Sequence, residues 1–105
     1  MNAALKDLLL NRLRQIDGLE VHPSPVAGGT ALFHGGRDFA HFHDDRELDL
    51  RLTRRHIQAR GLMHPTGSVH HPGRSPNSAW IELRLEKLED IERIAALVHL
   101  AITAL

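Results

Sequence analysis

The segment Glu47 to Leu52 alternates without exception. Leu48, Leu50 and Leu52 point one way, and Glu47, Asp49 and Arg51 point the other. A period of two is that of a β-strand with one face on a core and the other face polar. The flanking sequence extends the pattern into a meander. Gly35-Gly36 is a hairpin signal between Thr30 to His34 and Asp38 to His43, and Asp44-Asp45-Arg46 is a turn leading into Glu47. Three adjacent antiparallel strands with one leucine-rich side need something apolar to cover that side.

Two amphipathic helices supply the cover. Residues 3–17 repeat Leu5, Leu9, Leu13 and Ile16 at helical spacing, widened by Leu8 and Leu10, and Gly18 supplies a stop. Residues 88–104 carry Leu88, Ile91, Ala95, Val98 and Ile102 on one stripe, with Glu89 and Asp90 near the positive end of the helix. Thr53 caps a short helix running to Arg60 and closed by Gly61. Ala79 to Leu85 alternates again. Leu19 to Val26, broken by Pro23 and Pro25, reads as an edge strand or an extended arm. The order is α-β-β-β-β-α-β-α, an α+β fold with a mostly antiparallel sheet and helices packed on one face. One domain is expected over residues 1–105.

The register of the hairpin decides what the other face carries. A three-residue loop at 44–46 sets His43 opposite Glu47, His41 opposite Asp49 and Phe39 opposite Arg51. Ala40 and Phe42 then join the leucines. The polar face collects Phe39, His41, His43, Glu47, Asp49 and Arg51, and the strand at 79–85 adds Trp80, Glu82 and Arg84. Such a face is either plain solvated surface or a binding surface. A Trp beside His and Arg favours a ligand or a partner.

The chain has nine histidines and no cysteine. Without Cys there are no disulfides, thiolate zinc sites or thiol nucleophiles, which fits a reducing cytoplasmic compartment. His41 and His43 contact or polarise a ligand in this reading, and the expected catalytic pair is His41 with Asp49, the carboxylate orienting the ring. Arg51 or Arg84 holds an anionic group, and Trp80 stacks. The Pro/Gly-rich stretch 61–78, with a short strand at 68–71, brings His64, His70, His71 and Arg74 over the face as a lid. His41-x-His43 with His34 or Asp49 as third ligand is the metal-binding alternative; otherwise no metal or cofactor is called for. His22, His56 and His99 read as surface residues.

Thirteen basic residues balance thirteen acidic ones, which argues against a nucleic-acid partner. No uncharged run is long enough for a membrane span. The expected partner is a small molecule, with a homodimer or protein-docking module as the alternative. Phosphate-loop, dinucleotide and Gly-x-Ser-x-Gly fingerprints are absent from the sequence.

The series His41-x-His43, then Asp-Arg-Glu-Leu-Asp-Leu-Arg-Leu-Thr over 45–53, a helix ending at Gly61, and Ser78-Ala-Trp-Ile-Glu-Leu-Arg-Leu before an acid-opened terminal helix resembles the small bacterial luciferase-family domain. That family is named for its similarity to the luciferase of bioluminescent fungi. The resemblance implies a single α+β domain. For the fungal enzymes it implies oxygen-dependent oxidation of a hydroxypyrone without a separate metal or flavin. The fungal-type pattern places a short Gly/Ser turn and a further His after His-x-His. Here Asp44-Asp45-Arg46 replaces that turn, and Asp49 stands near the place of the further His.

Overall fold

The computed structural model describes residues 2–24, 29–63, 75 and 77–105. Its elements run α1 (Asn2–Leu13), β1 (Leu19–Pro23), β2 (Thr30–His34), β3 (Arg37–Asp44), β4 (Glu47–Arg51), α2 (Arg54–Ala59), β5 (Trp80–Arg84) and α3 (Glu89–Thr103). The five strands form one antiparallel sheet in the order β1-β2-β3-β4-β5. This is the α+β meander that the alternation and turn signals predict. The expected lid at 64, 70, 71 and 74 and the short strand at 68–71 lie outside the described residues.

The leucine face is the core. Leu32, Ala40, Phe42, Leu48, Leu50, Ile81 and Leu83 of the sheet pack with Leu9 and Leu13 of α1 and with Ile94, Ala95, Val98 and Ala101 of α3. Ile57 brings α2 into the same cluster. Helix α1 is shorter than its leucine pattern, ending at Leu13 with turns to Gly18. Leu8 and Leu88, both expected on apolar stripes, are exposed. Leu88 is the N-cap of α3, its carbonyl accepting from the Ile91 amide at 3.1 Å.

Two β-bulges correct the register expected from strict alternation. The β3–β4 turn has two residues, Asp45 and Arg46, and the strand partners are Asp44 and Glu47. His43 is the extra residue, so it does not face Glu47. Beyond the bulge, Phe42 pairs with Leu48, His41 with Asp49 and Ala40 with Leu50, as expected. A two-residue turn alone would put the histidines among the leucines; the bulge absorbs the odd residue and restores the phase. The second bulge is at Phe39. Leu32 pairs with Ala40 and Phe33 with Asp38, which leaves Phe39 without an opposite number. Phe39 is therefore in the core, fully buried beside Ala40, and not on the polar face. A fully apolar ring gains about 2–3 kcal/mol by that burial, and the bulge is what makes it available.

Candidate functional site

The sheet face away from α1 and α3 is built from β3, β4 and β5. Directly opposite residues share a face. One row is Ala31, His41, Asp49 and Glu82, and its neighbours are Arg51 with Trp80 and Glu47 with Arg84. Three carboxylates on this face are buried: Glu82 is 2% exposed, Asp49 4% and Glu47 8%. Buried carboxylates are costly unless compensated, so this is not plain solvated surface.

Trp80 and His41 are two strands apart, yet their rings lie parallel, with centroids 5.4 Å apart and 9° between planes. Since β4 lies between their strands, the two rings meet over it. One face of the Trp80 indole is thus already used by a protein ring. His43 stands 6.4 Å from His41, ring to ring, and its Nε2 is 3.9 Å from Asp49 Oδ2. That distance is an electrostatic contact and longer than a hydrogen bond.

The carboxylate that engages His41 is Asp38. His41 Nε2 donates to Asp38 Oδ2 at 2.7 Å. They are three positions apart, and strict alternation would put them on opposite faces. The bulge at Phe39 shifts the phase and brings Asp38 to the His41 side. Asp49, expected to orient His41, instead sits across the ladder from it and makes its ion contact with His43. Sequence pattern gave no signal for Asp38, because a bulge has no period.

Arg84 lies between two buried carboxylates. Its Nε is 3.7 Å from Glu82 Oε2 and 4.0 Å from Glu47 Oε1. It offsets part of their charge before any ligand arrives. Arg51 is exposed at the strand end beside Trp80 and is the described guanidinium on this face with most freedom to reach outward. His34 is not brought to the cluster. Its Nε2 donates to the Asp17 carbonyl at 3.1 Å, and its ring lies over Gly18. Among the described residues no group of three or more His, Asp or Glu is arranged to hold a metal ion. His22 pairs with Glu20 at 2.8 Å on the far edge of the same face and meets Phe33 edge-on. An open concavity on the described surface lies elsewhere, lined by Arg54, Arg55, Gln58 and Ala59 of α2.

The chain is thus a small α+β protein whose polar sheet face carries a His–carboxylate–Trp cluster. The family model for the Luciferase domain matches residues 36–101, which takes in β3, β4, α2, β5 and most of α3. The chain belongs to the luciferase-domain family. No curated protein and no solved structure matches it. Among the described residues no helix is long and apolar enough to cross a membrane.

Proposed function

We propose that the β3–β5 face binds a small polar or aromatic molecule, with His41, His43 and Trp80 as the contacting groups and Arg51 at the rim. The observation that carries this reading is the parallel His41–Trp80 pair set over buried carboxylates. A ring stack next to charged groups combines apolar area with hydrogen-bonding positions, the composition of a small-molecule site. Membership of the luciferase-domain family agrees with a small-molecule role. Any chemistry here acts on an enolic or phenolic ligand by proton transfer or oxidation.

Trp80 is the single tryptophan of the chain, so its fluorescence reports on this face alone. Titration with small phenols, beginning with 4-nitrophenol, should give saturable quenching, and His41→Gln should weaken it about tenfold or more. That loss equals about 1.4 kcal/mol, the scale of one net hydrogen bond. A linear, unsaturated response up to about 1 mM for every phenol tried would overturn the reading.

A further inference from the structure

We propose that Asp38 is the positioning residue of this face, and that it makes Nδ1 of His41 a proton acceptor for a weakly acidic O–H of the ligand. The proposal rests on the small-molecule reading above and assigns its polarity.

A hydrogen bond of 2.7 Å from His41 Nε2 to a carboxylate oxygen requires the proton on Nε2. In the neutral ring the lone pair is then on Nδ1. Among the described residues, Nδ1 of His41 has no hydrogen-bond partner. The ring itself is held twice, by Asp38 at one edge and by the Trp80 stack on its face. The other oxygen of Asp38, Oδ1, is buried and has no hydrogen-bond partner among the described residues. The His41 N–H is therefore the direct hydrogen bond that stabilises this carboxylate, and the two groups form a unit. A base oriented by a third group with its lone pair left open is the general arrangement for proton abstraction.

The step balances without any co-reactant. The ligand O–H bond breaks, its proton forms a bond to Nδ1, and the electron pair stays on the ligand oxygen. The imidazolium then carries both N–H bonds, with Nε2–H still donated to Asp38. Phenols and enols are the matching class. They have an acidic O–H on a planar frame, and imidazole is the side chain whose proton affinity suits transfers near neutral pH.

Two measurements on the full chain test this. Long-range 15N–1H spectra of the ligand-free protein, above neutral pH, should show His41 with its proton on Nε2. Asp38→Ala should average the two tautomers, while Asp38→Asn, whose amide oxygen still accepts, should keep Nε2–H. A wild-type His41 protonated on Nδ1, or a tautomer unmoved in Asp38→Ala, overturns the role of Asp38 whether or not a ligand binds. The second measurement adds 4-nitrophenol at a pH below its own ionisation and follows its visible phenolate band. Binding should raise the phenolate fraction, and His41→Gln and Asp38→Ala should reduce that gain by about tenfold or more. His22→Gln, at the far edge of the face, should match wild type. Saturable quenching of Trp80 without a phenolate gain overturns the base assignment and leaves the binding reading standing. No saturable quenching overturns the binding reading and this proposal with it.

Discussion

Gly29 occupies a position where no other residue fits. A Cβ built there would lie 2.2 Å from the backbone carbonyl oxygen of Phe42, and that carbonyl is fixed in the β2–β3 ladder. The Gly29 carbonyl in turn accepts from the Ser24 amide at 2.7 Å, so neither side can move freely. Gly29→Ala should cost about 1–3 kcal/mol, the range for overpacking a well-packed site, measurable as a lower urea midpoint at unchanged slope. Strand phase explains which other single residues are readable from sequence. His41, Asp49 and Trp80 reach one face because each stands in phase with the leucine alternation, whereas His43 is the extra residue of a bulge. Asp38 and Phe39 do not stand in that phase, because theirs is set by one inserted residue whose cause is the fit of the Phe39 ring into the core. That fit depends on the whole interior and leaves no local mark.

At the scale of elements, strand and helix types follow from period and caps, and the ends do not. Thr53 shows why. It caps α2, its Oγ1 accepting from the His56 amide at 3.3 Å, as its residue type predicts. Its backbone, however, sits at φ 79°, ψ 145°, a region that costs a non-glycine residue about 1–3 kcal/mol. The strain comes from tertiary pairing: the amides of both Leu52 and Thr53 donate to the Ala79 carbonyl. Glycine at an N-cap loses only a few tenths of a kcal/mol relative to threonine, so Thr53→Gly should stabilise the protein by about 1 kcal/mol, seen as a rise in melting temperature of roughly 4–8 °C. The start of α3 makes a second prediction. Burial of Asp90 would push its carboxyl up, but the Glu86 amide, the Arg93 guanidinium and the Lys87 amide together hold it below its ordinary value of 3.8. A carboxyl lowered in the folded state contributes stability above its unfolded value and loses it as pH falls through the folded one. Asp90→Asn should therefore be less stable than wild type near neutral pH, and the gap between their melting temperatures should close on acidification below 3.8. A gap that stays constant with pH would show that the amide contacts alone matter.

At the scale of the whole molecule, the sheet separates two tasks by face. One side holds Leu9, Leu13, Phe42, Leu50 and Val98, all fully buried, and carries the folding free energy. The other spends part of it on burying the carboxyl groups of Glu47, Asp49 and Glu82. A domain of this size has a total stability of about 5–15 kcal/mol. Removing one leucine side chain from a filled core costs about 2–5 kcal/mol, roughly a fifth to a half of a mid-range total. Leu13→Ala should then lower the melting temperature by at least about 8 °C while leaving the affinity for 4-nitrophenol, measured on the folded fraction, within about twofold. His41→Gln should do the reverse. The ring is partly exposed and outside the core cluster, so its loss should cost no more than about 1.5–3 kcal/mol, the worth of one hydrogen bond to a charged group, and less than Leu13→Ala, yet remove most of the binding. The two variants measured together decide the matter. If His41→Gln destabilises as strongly as Leu13→Ala, the polar face is a second core and its charges are structural; if the effects separate, the face is kept at the expense of stability for what it binds.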